Sequence, residues 1–122
     1  LDLSDITMNS KYRIYAKKYC EEAIEKFYDK NKKIFQKNPK NRNDTFINPI
    51  DISDNTIPNG NSTMLINFSR LGFMNEAEEL SSSLNGYLNI YKNIMISSLK
   101  ALDIFNEVKN GKKCGIDGCK II

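Results

Sequence analysis

Between Asn75 and Gly111, apolar side chains recur at steps of three and four: Ala77, Leu80, Leu84, Leu88, Tyr91, Met95, Leu99, Leu102 and Phe105. That spacing marks one face of an α-helix and predicts a single long helix over residues 76–109. Asn75 is placed as its N-cap, with Glu78 three residues on. Glu76, Glu78 and Glu79 fall in the first turn, where the helix dipole favours negative charge; that position explains them without a metal or acid–base role. Lys109 and Asn110-Gly111 supply the stop. A second stripe gathers Tyr12, Ala16, Tyr19, Cys20, Ala23, Phe27 and Ile34 on one side, with Lys11, Lys18, Glu21, Glu22, Glu25 and Lys32 opposite. It predicts an amphipathic helix over residues 11–37, capped by Ser10 and stopped by Pro39. Its apolar face weakens after Tyr28.

Residues 38–61 read as a connection punctuated by Pro49, Pro58 and Asn59-Gly60, with Ile47, Ile50, Ile52 and Ile57 available to anchor it. Met64, Leu65, Phe68 and Leu71 fit a short helix over residues 62–71, ended by Gly72. The competing pattern is a strand hairpin of residues 48–53 with 63–69, suggested by the alternation of Met64, Ile66 and Phe68. The expected fold is therefore all-α: one helical domain over 1–122, a long antiparallel helical hairpin or small bundle with a long ordered loop. In it, Cys20 lies at the same end as Cys114 and Cys119.

One hairpin partner cannot cover the apolar surface of the long helix. Ile90, Ile94, Ile96 and Ile104 lie off its main stripe. A seven-residue repeat through Leu80, Leu84, Tyr87, Tyr91, Ile94, Ala101, Phe105 and Val108 also runs, broken at Ser98, as a coiled coil would require. The candidates for a partner-binding face are Leu88, Ile90, Tyr91, Ile94, Ile96, Ile104 and Phe105. Another protein, or a second copy through the long helix, is the expected partner.

Candidate chemistry is sparse. The chain has no His and no Trp, which removes the commonest general base and zinc ligand. Its three thiols cannot complete a four-ligand zinc site, and C-x4-C is not a redox C-x-x-C pair. No cofactor, metal or small molecule is implied, and the expectation is a non-enzyme. The open readings for Cys20, Cys114 and Cys119 are a bridge from Cys20 to either partner, a short loop between Cys114 and Cys119, or free thiols. A Cys20 bridge closes nearly a hundred residues, worth roughly 4–5 kcal/mol by chain entropy. A disulfide implies an oxidising compartment. Sequons at Asn43, Asn61 and Asn67 are ordinary in so Asn-rich a chain.

The net charge of +3 is unevenly distributed. Residues 1–42 hold eleven Lys/Arg against six Asp/Glu, whereas 43–79 hold Arg70 alone against six acids. Such blocks more often pair with each other than mark a nucleic-acid surface. The run Lys26, Lys30, Lys32, Lys33, Lys37, Lys40 and Arg42 carries the weaker alternative, a nucleic-acid or anionic-membrane binder acting through the first helix.

Frequent Asn, Lys and Ile, missing Trp and His, and cysteines in a helical chain without a leader together resemble secreted or surface proteins of malaria-type, AT-rich parasites. The resemblance is of composition across the whole chain, and no family motif carries residues over. It implies secretion or surface display and a role, such as that of an antigen, at a host–parasite interface. The chain begins at Leu1 rather than Met and ends on Ile121-Ile122, which reads as a processed product or a piece of a longer protein. The expected function is a non-enzymatic helical protein-interaction module. The alternative, with reduced thiols, is an intracellular, cytoplasmic adaptor or regulatory domain.

Overall fold

The computed structural model describes residues 1–42, 44 and 47–122; the sequon at Asn43 lies outside them. The chain forms α1 (Asp2–Thr7), α2 (Ser10–Phe27), β1 (Tyr28–Asp29), β2 (Ile34–Phe35), α3 (Gly60–Leu71), α4 (Met74–Tyr91), a 3-10 turn (Lys92–Ile94), α5 (Ile96–Lys109), β3 (Lys112–Gly115) and β4 (Gly118–Ile121). Two antiparallel hairpins, β1–β2 and β3–β4, accompany the helices, so the fold is mixed rather than all-α.

The first helix ends at Phe27, ten residues before the expected limit. Asp29 explains the stop: its Oδ1 accepts the amides of Asn31 and Lys32 at 2.9 and 3.1 Å, a local alternative to helical bonding. The chain reverses and pairs Tyr28 with Phe35 and Asp29 with Ile34. Phe35 is then held by a side chain: Asn61 takes its N–H at 2.8 Å and returns an amide hydrogen to its carbonyl at 3.1 Å. The Asn61 amide also reaches the Asp51 carbonyl at 2.8 Å. Buried and committed in this way, Asn61 is a structural residue, not an acceptor for sugar in the folded chain. Asn9 caps α2 through the Lys11 amide at 3.0 Å, one position earlier than expected.

The long helix is two helices. It breaks at Lys92–Met95 and folds back, so α4 and α5 run antiparallel: Glu78 at the start of α4 bridges Lys109 at the end of α5 at 2.6 Å. Ser98, near the start of α5, meets Ser62, near the start of α3, at 2.7 Å. α3, α4 and α5 therefore form an up-down-up bundle, α3 and α4 being joined at Gly72 with φ +86°. The fold-back removes the coiled-coil seam, because the seven-residue repeat crosses the break. It also resolves the excess of apolar surface. Leu80, Leu84 and Leu88 from one arm and Ala101, Leu102 and Phe105 from the other enter the same core, with Met95 at the corner fully buried.

α2 lies mainly along α3 rather than against the last helices. Cys20, Ala23, Ile24 and Phe27 supply its inner face. An aromatic row ties the layers: Tyr28, Phe35, Phe68 and Phe73 have successive ring centroids 5.0, 5.7 and 5.7 Å apart. In the connection, Ile50 and Ile52 pack on the core, whereas Ile47 and Ile57 stay exposed. Oppositely charged blocks do meet, through Lys33–Glu79 at 3.6 Å and Lys37–Asp51 at 3.7 Å. Both pairs are exposed and worth at most about 1 kcal/mol each.

Of the three cysteines, Cys114 and Cys119 bridge. They face each other across β3–β4, with Cα atoms 4.0 Å apart. Closing six residues restrains the unfolded chain by about 2 kcal/mol, roughly half of what a Cys20 bridge would contribute. Cys20 is free and buried against α3. It is excluded from the bridge because the β3–β4 hairpin is docked beyond the C-terminal end of α3, where Asp5 accepts the Ile116 amide at 3.0 Å and Arg70 Nη2 at 2.7 Å. The start of α2 reaches that end; Cys20, two turns on, does not. Burial, reinforced by Glu21, raises the Cys20 thiol above its ordinary value and keeps it protonated. Thiol titration in denaturant without reductant is expected to find one reactive cysteine per chain and three after reduction; three before reduction would refute the bridge.

Candidate interaction surface

The α4–α5 corner is built from outside by one carboxylate. No Gly or Pro marks the break; instead Asn93, Ile94, Ile96, Ser97 and Ser98 form a run of weak helix formers. Asp54, in the long connection, reaches into the start of α5. Its Oδ2 accepts the Ser97 amide at 2.6 Å and its Oδ1 accepts the Ser97 hydroxyl. The Asp54 amide in turn donates to the Ile94 carbonyl at 2.7 Å. Asp54 thus acts as an N-cap supplied from forty residues away, since Met95, the residue at that position, offers no capping side chain.

The same carboxylate organises the start of α3. Asp54 Oδ1 accepts the Asn59 amide at 3.1 Å and its Nδ2 at 2.9 Å. Asn59 Oδ1 caps α3 through the Ser62 amide at 2.9 Å and takes the Ser62 hydroxyl at 3.0 Å. Ser62 and Ser98 then meet across the two helices, both fully buried. Partial burial works to raise the Asp54 carboxyl, but the Ser97 hydroxyl and amide, followed by Asn59, outweigh it and hold it below its ordinary value.

Anchored in this way, the corner turns a cluster of apolar side chains to solvent. Ile90 is 71% exposed and Ile96 68%, with Tyr91, Ile94 and Leu99 also exposed. Four of the seven interface candidates, Ile90, Tyr91, Ile94 and Ile96, lie exposed along this corner. Leu88 and Phe105 are core residues, buried by the fold-back, and Ile104 is half-buried where its carbonyl lies near the Cys114 sulfur. Leu99, assigned by periodicity to the buried stripe, belongs to the surface cluster. Beyond Ser98, the residue that breaks the heptad, hydrophobic periodicity carries no signal for the polar network of Asp54, Asn59, Ser62, Ser97 and Ser98. Among the described residues no cluster of three or more His, Cys, Asp or Glu could hold a metal ion.

A second feature lies at the opposite end of the bundle. A cleft of about 500 Å³ opens between the β3–β4 hairpin, the end of α3 and the α1–α2 junction. Arg70 clamps its edge to Asp2 and Asp5, each at 2.7 Å. Burial works against the Asp5 charge, but the Ile116 amide, Arg70 and Arg13 together lower its carboxyl below the ordinary value. These groups satisfy one another, so the clamp reads as structural. No family model matches the chain, and no curated protein or solved structure shows significant similarity to it.

Proposed function

We propose that the chain is a non-enzymatic protein-interaction module whose contact surface is the α4–α5 corner. The observation that carries this reading is the cluster Ile90, Tyr91, Ile94, Ile96 and Leu99, exposed together on ten residues that the Asp54 network holds in one shape. Exposed aliphatic and aromatic side chains on a braced corner are the composition of a protein contact, in which a few buried anchors carry most of the binding. The Cys114–Cys119 bridge supports action in an oxidising compartment, secreted or at a cell surface. The partner is another protein or a second copy of the chain.

The test is to measure self-association by sedimentation velocity across concentration, then to capture extracellular partners on the immobilised chain. Both steps are repeated with Ile90→Asp and Ile96→Asp combined. The double variant is expected to keep its helical circular dichroism and to lose association at least tenfold, about 1.4 kcal/mol or more. Association that the double variant retains, or a strictly monomeric protein with no partner and a measurable turnover, overturns the proposal.

A further inference from the structure

The first nineteen residues present a separate surface of different chemistry. α1 is an inverted amphipathic helix: Asp2 and Asp5, three apart, turn inward to Arg70, whose side chain is 9% exposed. Leu3 and Ile6, also three apart, are 57% and 65% exposed, and Met8 follows them into solvent. Arg70 pairs with both carboxylates, of which Asp5 is largely covered and Asp2 stays exposed, while the aliphatics of α1 face solvent.

α2 continues the theme. Its buried residues begin only at Cys20. Before that point Lys11, Ile14, Tyr15 and Lys18 fall at i, i+3, i+4 and i+7, a single stripe on the side opposite the core, and all four are exposed. Tyr12 and Tyr19 are exposed beside it, and the Lys11 ammonium lies 5.6 Å from the Tyr15 ring centroid. From Ser10 to Cys20 there are four cations, Lys11, Arg13, Lys17 and Lys18, and no carboxylate; Arg13 turns back to donate to the Arg70 carbonyl, which leaves the lysines to the patch, and Glu21 and Glu22 bound it.

We infer that the α1–α2 hairpin docks on an anionic lipid surface, lying in the headgroup layer. Exposed aliphatics, tyrosines and lysines on short helices match the chemistry of an interfacial helix, tyrosine settling at headgroup level and lysine reaching the anionic groups on its flexible stem. Lysine also suits a diffuse negative surface better than a bidentate partner, for which arginine is the better fork. No helix of the described residues is long and apolar enough to cross a membrane, so the attachment is peripheral. This surface carries the anionic-lipid reading better than the Lys26–Arg42 run, which lacks exposed aliphatic side chains and where Lys33 and Lys37 pair with Glu79 and Asp51; in the patch, Lys18 has Glu22 at 3.9 Å.

The experiment is flotation of the 122-residue chain with phosphatidylcholine vesicles, with or without 30 mol% phosphatidylserine, at low and at high salt. Binding is expected only with phosphatidylserine and is expected to weaken with salt. Lys11→Glu with Lys18→Glu is expected to lower it roughly tenfold or more, as is Leu3→Ser with Ile6→Ser; both pairs are exposed, so circular dichroism should stay unchanged. The corner variant Ile90→Asp with Ile96→Asp should float normally, which separates this surface from the protein contact. Failure to bind anionic vesicles, equal binding to neutral ones, or binding indifferent to both variant pairs overturns the inference. Self-association abolished by the same substitutions, without vesicle binding, would assign the face to a second copy instead.

Discussion

Phe68→Ala is expected to lower the unfolding free energy by about 3–5 kcal/mol, the range for deleting a buried ring. Phe68 is fully buried and sits in the middle of the aromatic row, its ring 5.7 Å from both Phe35 and Phe73. Through it α3, the β1–β2 hairpin and the α3–α4 turn share aromatic contacts. The cavity left by the ring has little prospect of collapse, because each neighbour is fixed separately. Phe35 is held by Asn61, and Phe73 by its amide N–H, which donates to the Phe68 carbonyl at 3.0 Å. Domains of this size are stable by only about 5–15 kcal/mol, so the variant stands near the unfolding threshold. Urea unfolding followed by circular dichroism measures the change. A loss below about 1 kcal/mol would show that the row is not the centre of the core.

How much of this was legible follows from the range of the interactions involved. The α3 helix, the Gly72 turn and the Asn110-Gly111 stop are written locally: periodicity, a left-handed glycine and a capping residue lie within one or two turns of one another. So did the apolar content of the last helices, whose buried stripe largely matches Ala77, Leu80, Leu84, Leu88 and Leu102. The break at Lys92–Met95 was not local. The side chain that caps it is Asp54, which is remote in sequence. Periodicity cannot register such a stop, and apolar spacing passes through it nearly unbroken. The early end of the first helix is an intermediate case. Asp29 signals an alternative to helix, but pairing with Phe35 requires Asn61 to arrive from α3. Tyr12 and Tyr19 mislead in the opposite way: at helical spacing with Ala16 and Cys20 they read as core, yet both stay exposed because the buried part of α2 begins only at Cys20.

Asp54→Ala is the substitution that tests whether the corner is held from outside. It removes the cap of α5, a loss of about 0.5–2 kcal/mol. It also strips an acceptor from the buried Asn59 side chain and its amide, which adds roughly 1–3 kcal/mol. Because these bonds share one carboxylate they will not add fully, and a total of about 2–4 kcal/mol is expected from denaturant unfolding. Asp54→Asn keeps one oxygen and should lose less. Acid should reproduce part of the effect. The folded carboxyl lies below its ordinary value near 4, so its contribution is fully present above that pH. The contribution disappears as pH falls through the lowered value. Asp54→Asn should therefore show a shallower loss of stability in that acid range than the parent chain. Hydrogen exchange locates the damage: the Ser97 and Ser98 amides should lose protection in Asp54→Ala, while the amides of the β3–β4 hairpin at the far end keep theirs. Partner affinity should fall as well, although none of Ile90, Tyr91, Ile94, Ile96 and Leu99 has been changed. A variant that unfolds normally and protects Ser97 as before would show that the corner folds on its own and that Asp54 is incidental to it.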